Sequence, residues 1–245
     1  MSTDRTIVPD HAIGHAPYRR NVNVRTLFVV LLAAALALSL TPTATAGPPG
    51  QGAAAGPPGQ ETADVLAFAD LEVVSEDTAR LVRGTDSLRT RTNTRDLDHG
   101  HVITLWWVIF NNPDECAGEG CGEADLFNPA VEPSCVYADG SIVGGNGHAR
   151  FIDRLTVGEH RDSCIDFFVD LVPGLEGEDH GLTNPQGAEV HLVLRSHGPR
   201  IPGQVAEQRS TFAGGCEYFL DPGATHELEP GQCSDLQFAV FPAGS

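Results

Sequence analysis

The run His101–Phe110 restricts this chain more than any other stretch. Val102, Ile103, Leu105, Trp106, Trp107, Val108, Ile109 and Phe110 are apolar and fall on both faces of a pleated strand. A strand with two apolar faces belongs in the middle of a layered core. Asn111-Asn112-Pro113 then ends it, because proline has no N–H to give to a neighbouring strand.

The same period marks further strands at 65–74, 135–143, 148–157, 165–172, 188–195 and 236–241. Ala138-Asp139-Gly140 and Gly144-Gly145-Asn146-Gly147 read as turns, since these residues tolerate positive φ. Helical periodicity is scarce, and 205–209 is at most one short turn. Many short strands in about 180 residues predict an all-β fold, an antiparallel β-sandwich with a β-barrel as the alternative, in a single domain over 63–245.

Upstream the chain carries an address. Arg19, Arg20 and Arg25 precede the apolar run 27–40, and Ala44-x-Ala46 follows with the small residues a signal peptidase requires. Residues 1–46 therefore read as a secretory signal peptide cleaved after Ala46. As a helix, fourteen residues rise about 21 Å, short of a ~30 Å hydrocarbon core. Arg19-Arg20 leaves twin-arginine and general export both open. Gly-Pro-Pro-Gly-Gln begins at Gly47 and again at Gly56, so 47–62 reads as a Pro/Gly-rich linker. Two copies lack the strict triplet period of collagen. No later stretch approaches eighteen apolar residues, so no membrane span is expected in the mature chain.

The chain is acidic, with net charge -18 and no lysine; its fifteen basic residues are all arginine. That balance argues against a nucleic-acid partner, which requires a broad phosphate-binding face.

Cys116, Cys121, Cys135, Cys164, Cys216 and Cys233 all follow the expected cleavage point. An even count in an exported chain predicts three disulfides. Six cysteines allow fifteen pairings, and local pairing is the expectation: Cys116 with Cys121, Cys135 with Cys164, Cys216 with Cys233. Cys116-x4-Cys121 alone lacks the second pair of a zinc site.

Four histidines are candidate metal ligands. His99 and His101 share a face beside Asp96 and Asp98; His191 lies in a strand, and His197 opens His197-Gly198-Pro199. Neutral imidazoles with a carboxylate suit zinc or copper if the strands are neighbours. The plainer expectation leaves His99 and His101 at a solvated strand entrance and His197 in a turn. Acidic loops at 114–125 and 176–179 hold enough oxygen for calcium but lack the Asp-x-Asp-x-Asp-Gly spacing, so solvated loops are the simpler reading.

Arg80, Arg83, Arg89, Arg91 and Arg95 crowd into sixteen residues. On an extended chain Arg89, Arg91 and Arg95 share one face, and Thr90, Thr92 and Thr94 the other. This basic strand reads either as a docking surface for an anionic polymer or as an exposed edge whose charges deter pairing. No Gly-x-Ser-x-Gly, phosphate loop or His-Glu-x-x-His occurs to support nucleophilic or metalloprotease chemistry. A glycosidase-like carboxylate pair would have to arise by folding alone.

Gly147-His148-Ala149-Arg150-Phe151, then Gly181-Leu182, Ala188-Glu189-Val190-His191 and His197-Gly198-Pro199, resembles the CHRD (chordin-type) domain family over about 55 residues. This chain has one histidine in the strand and the other six residues later, where those domains have two in the strand. The resemblance implies a secreted antiparallel β domain and brings no catalytic residues. The stretch from Trp106-Trp107 to Pro129 is also similar to exported bacterial proteins of unknown function.

Together these readings predict a secreted, non-catalytic extracellular binding or structural domain whose partner is a surface polymer or a protein. The alternative is an extracellular zinc or copper protein built on His99, His101, His191 and His197 with redox or hydrolytic activity. The binding-module reading needs no cofactor.

Overall fold

The computed structural model describes residues 59–224 and 228–244. The expected signal peptide and residues 47–58 of the expected linker lie outside the described residues. The first strand starts at Gln60, three residues before the expected domain boundary.

The strands are β1 (Gln60–Ala67), β2 (Val73–Arg83), β3 (Ser87–Thr94), β4 (His101–Phe110), β5 (Pro133–Ile142), β6 (Ala149–Thr156), β7 (Glu189–Pro199), β8 (Tyr218–Phe219) and β9 (Gln232–Phe241). Eight of them form one antiparallel sheet in the order β5-β4-β7-β9-β1-β2-β3-β6, with β8 running parallel beside β9. The fold is all-β and antiparallel as anticipated, and of the two architectures the sheet takes the alternative, curling until it nearly closes as a barrel.

Side chains and the segment following β6 bridge the seam between the end strands β5 and β6. Ile152 N donates to Asp139 Oδ2 (3.0 Å), and Tyr137 N donates to the carbonyl of Asp162 (3.0 Å). Arg161 reaches both sides, donating to Tyr137 O (3.0 Å) on β5 and to Asp153 Oδ2 (2.5 Å) and Arg154 O (2.6 Å) on β6. From inside, Trp107 Nε1 donates to the same Asp153 oxygen (2.7 Å).

Strand β4 shows why both of its faces are apolar. Ile103, Leu105, Trp107 and Ile109 fill the barrel with Leu81, Leu88, Phe151, Leu192 and Phe241. An eight-stranded barrel is just wide enough to be filled by such side chains. Trp106, Val108 and Phe110 point outward into a second apolar cluster with Val131, Ile165 and Phe212. Loops and a helix lie over this outer face, held by three disulfides that pair locally: Cys116–Cys121, Cys135–Cys164 and Cys216–Cys233.

Three local expectations are corrected. The expected strand 65–74 is two strands, β1 ending at Ala67 and β2 starting at Val73, with a turn over 68–72 in which Leu71 takes a positive φ. The segment 165–172 is not a strand; helix α1 (Cys164–Leu171) occupies it. Ser163 Oγ caps it by accepting from Ile165 N (3.1 Å) and Asp166 N (3.3 Å), and the acids at 166 and 170 take the solvent side. Ala138-Asp139-Gly140 is not a turn and runs on inside β5, at a bulge against β4. Gly140 is needed there for close approach: an added Cβ would collide with the backbone carbonyl of Arg209. The segment 205–209 is indeed one short turn, α2 (Val205–Gln208).

Candidate functional site

The four candidate histidines do not come together. His101 at the start of β4 lies opposite Pro199, whereas His191 lies opposite Val108. Seven strand residues separate those positions, roughly 23 Å at about 3.3 Å per residue. His99 is exposed on the turn before β4, but His101 is buried rather than solvated, and His197 lies within β7 rather than in a turn. His197 is fully buried and already engaged at both nitrogens: Thr104 Oγ1 lies 2.9 Å from Nε2, and Gly214 O lies 2.8 Å from Nδ1.

That geometry assigns the tautomer of His197. A carbonyl can only accept, so Nδ1 carries the hydrogen and Nε2 accepts from Thr104, whose hydroxyl oxygen accepts in turn from Trp106 Nε1 (2.8 Å). Burial, and next the charge of Arg195, push His197 down to about 3, against the bond to Gly214. It is a neutral peg fastening the 199–216 loop to the barrel. Among the described residues, the one cluster of three ligating atoms is His197 with Cys216 and Cys233, and those two sulfurs are bonded to each other rather than free as thiolates.

His191 Nε2 lies 2.7 Å from Glu189 Oε1, which also accepts from Cys121 N (2.9 Å). Burial would raise the Glu189 carboxyl, but the bonds from His191 and Cys121 and the charge on His191 outweigh it and hold the group below its ordinary range. This pair pins the first disulfide loop to β7. The acidic loops use their own carboxylates similarly. Asp125 accepts from Ala117 N and Gly122 N, and Asp179 from Ser134, Cys135 N, Ser163 and Gly181 N.

The arginines are arranged differently. On β3, Thr90, Thr92 and Thr94 are buried inside the barrel while Arg89 and Arg91 stand exposed outside, as alternation requires. Arg95 follows just past the strand end, exposed as well. Yet β3 is no edge: it is hydrogen-bonded to β2 on one side and β6 on the other. The edge-strand reading is therefore corrected, and guarding against unwanted pairing cannot be why the charges are there.

Register gathers more arginines on this face than the β3 sequence contains. Arg91 lies directly opposite Arg80 of β2, and Arg89 directly opposite Arg154 of β6. Arg150 lies opposite Asn93. Like charges placed directly opposite weaken a sheet. Carboxylates relieve them only in part: Arg154 has Asp86 at 3.6 Å, but among the described residues Arg80, Arg89, Arg91 and Arg150 have no acid within ion-pair distance. Val82 and Ile152, 39% and 53% exposed, lie between the guanidinium groups. The result is a bare patch on three strands, about 10 Å wide at roughly 4.8 Å between strands.

Arg83, read with the same cluster, behaves oppositely. It turns into the barrel end, where its guanidinium donates to the carbonyls of Ala188 (2.7 Å), Pro185 (3.2 Å) and Pro242 (2.8 Å) and to Glu61 (2.6 Å). Sequence reasoning missed Arg150 and Arg154 as members of the face. Their alternation with buried Phe151 and Leu155 was the available signal.

Beside this face is a cleft of about 490 Å³ lined by Val73, Ser75, Glu76, Thr78, Asn93, Thr94, Arg95 and His148. No protein family, curated protein or solved structure compared with the chain matches it.

Proposed function

We propose that this chain is an exported, non-catalytic binding module that holds an anionic polysaccharide outside the cell on the arginine face of β2, β3 and β6. The observation that carries the reading is the pair of directly opposed arginines, Arg80 with Arg91 and Arg89 with Arg154, on a bare face of strands paired on both sides. Such an arrangement weakens the sheet by itself and is relieved when an external anion lies between the charges.

The polymer's charge density follows from the rest of the chain. A net charge of -18 repels a densely charged rod such as a nucleic acid, while short-range bidentate contacts still favour a sparser polyanion. Val82 and Ile152 give apolar contact to the ring faces of a sugar chain between the charged sites. Export rests on the leader at 1–46, with which three disulfides are compatible.

Retention on immobilised polygalacturonate tests this. The oxidised protein should bind at low salt and elute as screening increases. Arg89→Ala with Arg91→Ala should weaken binding about tenfold, the scale expected for two exposed ion pairs. Passage of the unaltered protein through the support at low salt would remove the proposal.

A further inference from the structure

The outward row of β3 runs Arg89, Arg91, Asn93 and continues to Arg95, and its last two members line the 490 Å³ cleft. A polymer lying along the row therefore meets the cleft. The volume falls in the range of about 300–1,000 Å³ that holds small ligands.

The lining chemistry is selective. Apart from Val73 at 47% exposure, it consists of one guanidinium, one carboxylate, one carboxamide, an imidazole and three hydroxyls. Arg95 is held in place by donation from Nε to Val74 O (2.8 Å). Asp96 Oδ2 lies 3.7 Å from the same nitrogen, a long solvent-exposed pair, while among the described residues the two terminal nitrogens form no hydrogen bond and present one edge of the fork to a planar anion. Thr94 is already bonded to Gln237 and serves as floor. The Ser75 hydroxyl and the Asn93 carboxamide have no partner among the described residues, and Glu76 is exposed. Thr78 donates to Ser75 O (3.4 Å) and keeps its lone pairs for a ligand.

Two opposite charges in one small cleft narrow the ligand further. A sulfate ion would gain Arg95 but has no O–H to donate to the Glu76 carboxylate. A sugar with one carboxylate satisfies both, giving its carboxylate to the guanidinium and its hydroxyl hydrogens to Glu76.

We infer that the cleft is the subsite for one carboxylated sugar unit, with Arg95 binding the carboxylate and Ser75, Glu76, Thr78 and Asn93 the hydroxyls. This rests on the arginine-face reading for the rest of the polymer and adds the identity of the unit recognised.

The test is calorimetric titration of the full chain with a galacturonic acid trisaccharide, too short to cover the whole row, beside galactose trisaccharide and long polygalacturonate. The acidic trisaccharide should bind the unaltered protein at millimolar concentration or below. It should lose at least tenfold on Arg95→Gln and on Glu76→Gln, both with unchanged thermal midpoints. Galactose trisaccharide should bind at least tenfold more weakly. If the acidic trisaccharide shows no binding at millimolar concentration while the long polymer still binds, the cleft assignment fails and the face reading stands. Equal affinity for the neutral trisaccharide, or an unchanged affinity in Arg95→Gln, also overturns it. Failure of the long polymer itself would instead remove the reading of the face.

Discussion

The two halves of the barrel wall are built for different purposes. Outside β5, β4 and β7 the sheet is buried beneath helix α1, the 113–131 turns and the 199–216 loop, and a second apolar layer fills the space between. All three disulfides lie on this half or along its border at β9. Arg195 shows how it treats a charge: the side chain is 4% exposed, its guanidinium lies 4.1 Å over the Phe212 ring, and Asp235 pairs with it at 2.6 Å. Outside β2, β3 and β6 no second layer is present among the described residues, and arginines face arginines there with only long, exposed pairs, Arg154 with Asp86 at 3.6 Å and Arg95 with Asp96 at 3.7 Å. One sheet thus has a second layer of stabilising contacts outside one half and largely unpaired charge outside the other. Substitutions on the covered half should be read in stability, and those on the bare half in binding.

Acid should attack the covered half first and hardest. His197 is pinned neutral at about 3, against an ordinary value of 6.5. The unfolded chain therefore binds a proton that the folded chain refuses between those limits, so stability falls as pH drops through that window and is unaffected by His197 above it. At about 1.36 kcal/mol per unit, the loss reaches about 5 kcal/mol near pH 3. Glu159 and Glu189, held below 4.5, begin to add to it only at more acid pH. Urea titrations at pH 7, 6 and 5 should show the decline, and a His197→Gln variant should show a shallower one. Parallel pH profiles for the two proteins would mean that the peg is solvated, and the comparison would lose its clearest covered charge.

Removing the link between helix and barrel comes next. Cys135–Cys164 spans 29 residues and ties α1 to β5. Cys135→Ala with Cys164→Ala should lower stability by about 3–4 kcal/mol on the loop-closure model, measured by chemical denaturation. Polygalacturonate affinity measured well below the new midpoint should stay within twofold, because the arginine face is on the other half. A loss of binding that parallels the loss of stability would show that the halves are coupled.

Where the sequence could be read and where it could not follows the same division. Alternation and apolar runs are local, so β4 was legible to both its ends, and so were the inward threonines and outward arginines of β3. Helix α1 was misread because Ile165, Phe167, Phe168 and Val169 are also good strand formers; the Ser163-x-x-Asp166 cap was the decisive local sign. Ala138-Asp139-Gly140 has turn chemistry, but its glycine answers a close contact with Arg209 from 69 residues away. The opposition of Arg80 to Arg91 and of Arg89 to Arg154 was beyond local reading, since it depends on the register of three strands. The scatter of the histidines was hidden for that reason too: His99, His101, His191 and His197 look close only until β7 is laid against β4.

The smallest expected effect is the most informative about the bare half. If the opposed arginines are retained for binding, they are mildly harmful to the free protein, and neutralising one should stabilise it. Arg91→Gln removes the charge facing Arg80 and should raise stability by about 0.2–1 kcal/mol. For a chain of this size that is a thermal midpoint about 0.4–4 °C higher. Adding Arg89→Gln relieves Arg154 and should extend the gain. In 1 M salt, where the screening length falls to about 3 Å, both gains should shrink toward zero, which separates charge relief from strand propensity. The same double variant should hold polygalacturonate more weakly, so stability and affinity move in opposite directions. A midpoint that falls on neutralising Arg91 would mean that the guanidinium supports the fold through contacts of its own, and the bare half would then be structural like the covered one.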